Sequence, residues 1–136
     1  MDLYSNVLYM EDVRYVGDLP LPWEMLKNNS LMLSGATGMI GSFLVDVILE
    51  KNLSDQLNCT VYALGRNEQK AKVRFSKFEE DSHFIFIPYD VKLPFERDDI
   101  GTVDYILHLA SNTHPMQYST DPIGTITTNI VGVQNL

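Results

Sequence analysis

One stretch, Ser34-Gly35-Ala36-Thr37-Gly38-Met39-Ile40-Gly41, limits the folds open to this chain more than any other part of its sequence. It follows a short apolar run, Leu31-Met32-Leu33, of the kind buried on both faces of a parallel sheet. It opens a segment from Met39 to about Asn52 in which Ile40, Phe43, Leu44, Val47 and Ile48 fall on one helical stripe. A glycine loop between strand and helix has definite tasks. Gly35 permits a tight turn out of the strand, Gly38 lets the backbone approach a pyrophosphate, and Gly41 lets the helix pack closely. The amides that open the helix, near Met39 and Ile40, have no intrahelical partner, and the helix dipole sets positive charge behind them. Gly35, Thr37, Gly38, Met39, Ile40 and Gly41 are therefore the first candidate ligand contacts. No Gly-Lys-Ser/Thr follows, which removes an ATP-hydrolysing P-loop.

The rest of the chain repeats this alternation. Cys59 to Leu64 is rich in strand formers and ends at Gly65, and Asn67 to about Phe78 is polar with scattered apolar positions, a surface helix. Phe84-Ile85-Phe86-Ile87 is a third strand stopped by Pro88, and Tyr105 to Ala110 a fourth. Pro122 to Leu136 places Ile123, Ile126, Ile130 and Val133 at helical spacing behind Asp121, a suitable N-cap. Strands alternating with helices call for a parallel sheet covered on both faces by right-handed crossovers. The expected fold is α/β, a Rossmann-type doubly wound parallel sheet that is incomplete, with about four strands. Residues 30–136 form this domain. Residues 1–29 look like an N-terminal extension, with a short helix from Pro22 through Lys27 that packs Trp23 and Leu26 on the domain.

Composition narrows the partners. The chain has 136 residues, 45% of them hydrophobic, enough for one core. A formal net charge of −8 repels nucleic acid and anionic membrane, while backbone amides can still bind a phosphate. No apolar run approaches the ~20 residues that cross a bilayer. A lone Cys59 leaves no internal disulfide, and no His/Cys/Asp cluster has metal-ligand spacing. A soluble protein in a reducing compartment, the cytoplasm, is expected.

The glycine motif Gly35-x-x-Gly38-x-x-Gly41 is similar to that of the extended short-chain dehydrogenase/reductase family, the NAD(P)-dependent sugar-nucleotide epimerases and dehydratases. Four further segments agree in order and spacing. Ala63-Leu64-Gly65-Arg66-Asn67 lies where the second strand would meet the adenosine ribose. Tyr89-Asp90-Val91 resembles the turn whose acid receives the adenine amino group. His108-Leu109-Ala110-Ser111 resembles the family's H-x-A-A/S at the fourth strand end, and Thr128 to Leu136 resembles its N-x-x-G-x-x-N-L helix. The resemblance covers about residues 30–136. It implies NAD or NADP as cofactor, a nucleotide-sugar substrate in the full-length protein, and a homo-oligomer.

Individual positions carry different weight. An NAD-binding domain usually offers an acid where Arg66 stands, whereas an arginine accommodates a 2′-phosphate. Arg66-Asn67 leans toward NADP on electrostatics, an arginine can also stack on adenine, and the family pulls back toward NAD. Asp90 and Val91 lie at a strand's C-terminal edge, where open α/β sheets bind ligands, and so do Leu109, Ala110 and Ser111. His108 is better explained as a packed strand residue than as a catalyst, and His114 as a loop residue. Asn129 stands inside a helix that disfavours it, and the family makes it a possible support for a proton relay.

In this family a tyrosinate, its pKa depressed by a lysine four residues on, takes the proton while hydride passes between nicotinamide and sugar. None of the chain's seven tyrosines has that lysine: Leu8, Val13, Leu19, Arg66, Leu93, Leu109 and Pro122 stand there instead. The chain is thus expected to be the N-terminal part of a longer enzyme, inactive by itself, and either self-associating through its uncovered sheet or marginally stable. The alternative is a non-catalytic NADP(H)-sensing Rossmann module. An adenylate- or flavin-binding domain on a similar fold is a third reading.

Overall fold

The computed structural model describes residues 3–112 and 114–136. Four strands, β1 (Ser30–Ser34), β2 (Thr60–Gly65), β3 (Phe84–Pro88) and β4 (Tyr105–His108), form one parallel sheet in the order β3-β2-β1-β4. The incomplete α/β sheet expected from the alternation is the fold observed. Register aligns Ser34 with Leu64 on one side and His108 on the other, and Gly65 with Pro88. The strands therefore end level, and the loops that leave them share one edge.

Each face of β1 and β2 is buried. On one face Leu31, Leu33, Val61 and Ala63 meet Val45, Ile48, Leu49, Phe75 and Phe78. On the other, Met32, Leu64 and Ile87 pack with Tyr89, Phe95, Val103 and Leu136. Continuous apolar strands are what a sheet covered on both sides requires.

Residues 3–29 are more than a tail. Asn6 caps a helix, α1 (Val7–Gly17), its side chain accepting from the Tyr9 amide at 3.2 Å. Met10, Val13 and Gly17 face inward, and Met10 and Val13 pack on Val47. The next helix, α2 (Met39–Asp55), is consequently sandwiched between the sheet and α1. A single stripe of Ile40, Phe43, Leu44, Val47 and Ile48 does not describe it: Val45 and Leu49 are buried toward the sheet, Val47 toward α1, and Ile40 is exposed. The segment from Pro22 to Lys27 is a 3-10 turn over Trp23–Leu26 and not an α-helix, though Trp23 and Leu26 do pack as expected.

Three other elements differ in extent. The helix expected over 67–78 is α3 (Glu68–Arg74), broken at Phe75, with a 3-10 turn at Ser76–Phe78. The fourth strand stops at His108, two residues early, and a short helix, α4 (Pro115–Thr120), precedes α5 (Pro122–Asn135). Asp121 caps α5 by accepting from the Gly124 amide at 2.9 Å, as the sequence predicts. The apolar spacing of α5 points outward, however. Ile123, Ile126, Ile130 and Val133 are all more than half exposed, and the helix approaches the sheet through Thr128 and Gly132. Small residues face inward because His108 leaves no room for larger ones: a Cβ on Gly132 would lie 2.9 Å from the His108 ring.

Candidate functional site

Where the strands end, the chain opens a cleft of about 520 Å³, within the usual range for ligand pockets. Its floor is the glycine loop. Gly35 has φ +71°, a left-handed conformation that side-chain-bearing residues avoid. A Cβ there would also come within 2.8 Å of the Ala110 nitrogen. The loop is pinned by the Ala36 amide, which donates to the Leu64 carbonyl at 3.1 Å, and by the Gly38 amide, which donates to the Gly35 carbonyl at 3.0 Å.

α2 starts from Gly38, whose extended backbone (φ −75°, ψ 171°) is that of an N-cap without a side chain to cap with. The first helical bond runs from the Ser42 amide to the Gly38 carbonyl at 3.0 Å. The amides of Met39, Ile40 and Gly41 precede it and take no protein acceptor among the described residues. Gly41 touches the loop and not the strand: a Cβ on it would overlap the Gly35 carbonyl oxygen and sit 3.0 Å from the Ala36 Cα. Helix start and loop are thus pressed together only because neither position carries a side chain.

The far wall depends on Ser34, a residue the sequence reading passed over as a strand end. Its fully buried hydroxyl accepts from the amides of Leu109 (3.2 Å) and Ala110 (3.3 Å) and lies 2.7 Å from His108 Nδ1. His108 Nε2 lies 3.1 Å from the Thr128 carbonyl, which can only accept. The ring therefore carries its proton on Nε2, and Nδ1 accepts from the Ser34 hydroxyl, whose one donor and two acceptor positions are then all used. This chain of bonds ties the tips of β1 and β4 to α5. It explains His108 as a positioning residue, in line with its sequence reading.

Of the residues singled out from sequence, Gly35, Thr37, Gly38, Met39, Ile40, Gly41, Arg66, Asp90, Val91, Leu109, Ala110 and Ser111 all line this cleft. Asn67 and Asn129 do not. Asn67 caps α3 by accepting from the Lys70 amide at 2.8 Å, and Asn129 donates to the Thr125 carbonyl one turn back at 2.8 Å. Leu64, Gly65, Tyr89 and Thr128, which belong to the segments of resemblance but were not singled out, also line the cleft, and Lys70, Lys92 and Asn112 line it without having been expected. Lys70 could have been found: with Asn67 read as an N-cap, it falls in the first turn of the helix, next to the strand end that carries Arg66. Asp90 has one carboxylate oxygen engaged in its own turn, accepting from the Lys92 amide at 3.0 Å.

A dinucleotide suits this arrangement on three counts. The loop approaches the cleft with backbone that any Cβ would obstruct, unpaired amides stand at a helix start, and three basic side chains face one acid, Asp90, along the walls. Comparison with known proteins points the same way. The model of the NAD dependent epimerase/dehydratase family matches residues 31–136. UDP-glucuronic acid decarboxylase 5 of Arabidopsis thaliana is 32% identical over 109 residues, covering 80% of this chain and 29% of the relative. UDP-glucuronic acid decarboxylase 2 of the same plant is 31% identical over 120 residues, covering 88% of this chain and 24% of the relative. The chain thus spans less than a third of the length of these relatives. The fold matches the X-ray structure of Pen from Bacillus thuringiensis with a TM-score of 0.61 at 24% identity, over 81% of this chain and 33% of that one. The chain belongs to the NAD dependent epimerase/dehydratase family, whose description names NAD as the cofactor.

Proposed function

We propose that this chain is the cofactor-holding part of a nucleotide-sugar epimerase or dehydratase that works by transient hydride transfer. The observation that carries the reading is the set of unpaired amides at Met39, Ile40 and Gly41, opening a helix into a cleft bounded by the ends of the strands. Those amides and the Gly35–Gly38 turn would hold the diphosphate, Asp90 the adenine amino group, and Leu109 to Ser111 the nicotinamide side. The bound dinucleotide would supply reversible hydride acceptance. The chain's own residues bind and orient it, and Ser34 and His108 keep the far wall in register. Asn129 supports a proton relay in this reading only by leaving its bond to Thr125, since its side chain is turned onto its own helix.

No Tyr-x-x-x-Lys occurs in these 136 residues, so the chain by itself is expected to bind cofactor without turning over a sugar nucleotide. The relatives' names support a nucleotide sugar as the substrate of the whole protein. The outward apolar stripe of α5 supports a homo-oligomer, and the buried thiol of Cys59 fits a cytoplasmic setting. Among the described residues no helix is long and apolar enough to cross a membrane.

Melting the chain with and without NAD and NADP tests the reading. Ligand at a hundred times Kd adds ~2.7 kcal/mol of stability, a shift of several degrees for a domain of this size. Absence of any shift with either dinucleotide would overturn it. A shift with adenosine or flavin nucleotides alone would place the chain outside nicotinamide chemistry.

A further inference from the structure

The cations of this chain divide sharply. It has ten lysines and arginines, and all but three are ion-paired to a carboxylate in the fold. The side chains of Arg66, Lys70 and Lys92 have no ion pair, hydrogen bond or ring contact among the described residues. All three line the cleft. In a chain of net charge −8, acids outnumber bases and pair with nearly every cation available. Three left unpaired around one cleft form a concentrated positive field.

Two of the three stand at one corner. Arg66 follows the tip of β2, and Lys70 lies one turn along in α3, so both side chains reach the cleft from the same wall. One carboxylate lines the cleft among the described residues, that of Asp90 in the turn after β3 beside the tip of β2, and it forms no ion pair with either cation. An adenosine ribose with two free hydroxyls is held by an acid at the end of β2, and here that acid is replaced by a guanidinium. A guanidinium and an ammonium together suit a phosphate dianion, the first through its planar fork and the second as a point charge. The structure assigns Arg66 and Lys70 as the pair that selects a dinucleotide phosphorylated on its adenosine ribose, NADP(H), over NAD(H). This inference rests on the cleft being the dinucleotide site. It departs from the family's description, which names NAD.

Calorimetric titration of the chain with NADP, NAD, 2′,5′-ADP and 5′-AMP tests it by affinity, without any turnover. NADP is expected to bind at least about tenfold more tightly than NAD, as charge-assisted contacts to a phosphate require, and 2′,5′-ADP correspondingly more tightly than AMP. The preference should narrow as salt is raised, because both cations are exposed. Arg66→Ala should weaken NADP by about tenfold and leave NAD within about twofold, and Lys70→Ala should do the same to a smaller degree. Lys92→Ala, in the turn after β3, should leave the ratio unchanged.

Equal or tighter binding of NAD by the unaltered chain overturns the inference. So does an Arg66→Ala variant that loses both dinucleotides equally, since the guanidinium would then serve adenine or the diphosphate. Failure to bind any of the four ligands is a separate outcome: it removes the dinucleotide reading of the cleft itself.

Discussion

Two arginines flank the same short helix, and the fold uses them in opposite ways. Arg74 ends α3 and is almost entirely occupied. Its guanidinium pairs with Asp46, which is 1% exposed, and donates to the hydroxyls of Tyr4 and Tyr9 at 2.8 and 2.7 Å. Both tyrosine hydroxyls donate in turn to Asp46, so one carboxylate collects α1, the turn before it, α2 and α3. Arg66 precedes α3, and its side chain has no ion pair or hydrogen bond among the described residues. The same side chain is a structural tie at one end and an open hand at the other. Whether a buried acid stands within reach decides which.

The sharpest break of this comparison is Asp46→Asn. It leaves a guanidinium whose side chain is only 13% exposed without its counter-charge, and urea unfolding should show a loss of ~3–5 kcal/mol. A loss under about 1 kcal/mol would mean that the cluster is as dispensable as an exposed ion pair. Gly35→Ala should come next, with a loss of about 2 kcal/mol or more from the left-handed backbone and the collision with Ala110, and with weakened dinucleotide binding. Binding that survives unchanged would show that the loop can relax without cost to the cleft.

Alkaline titration separates the two ends by pH. Burial, and then Asp46 through its charge and its hydrogen bonds, hold the Tyr4 and Tyr9 hydroxyls above their ordinary value near 10. A raised folded value contributes stability that is complete below the unfolded value and is lost as pH rises through the folded one. Stability should therefore fall above pH ~10, and Tyr4→Phe with Tyr9→Phe should flatten that fall. An unchanged slope in the double variant would put the alkaline loss elsewhere. The smallest effect belongs to Arg66→Ala, whose melting curve without ligand should stay within about 0.5 kcal/mol of the parent. A larger loss would show that Arg66 is part of the scaffold after all.

The cleft was the more legible of the two regions. A glycine loop, a strand-end arginine and small residues at strand tips are local signals, each readable where it stands, and twelve such positions converge in space. The cluster was invisible because it is assembled from Tyr4, Tyr9, Asp46 and Arg74, separated by up to 70 residues, and a buried charge looks like a surface charge in a sequence. Helix α1 had its signal, with Asn6 as cap and Met10, Val13 and Gly17 at helical spacing, but the charges between them masked it. The α5 stripe misled for the opposite reason. Its spacing is helical, yet the tight contact between Gly132 and His108 decides that the small residues turn inward. Ser34 gave no sign at all, since a serine before a glycine turn is ordinary and its three partners lie 74 to 76 residues away.

That last distance bears on the order of folding. β1 and β2 pair after a loop of a few dozen residues, as do β2 and β3, whereas β4 must return across the whole intervening chain to reach β1. Long closures are slower, so the three-stranded half should form while the β4 side is still open. The Ser34 hydroxyl then acts as a latch: it stays in water until β4 arrives, and only afterwards does the rim acquire its final shape.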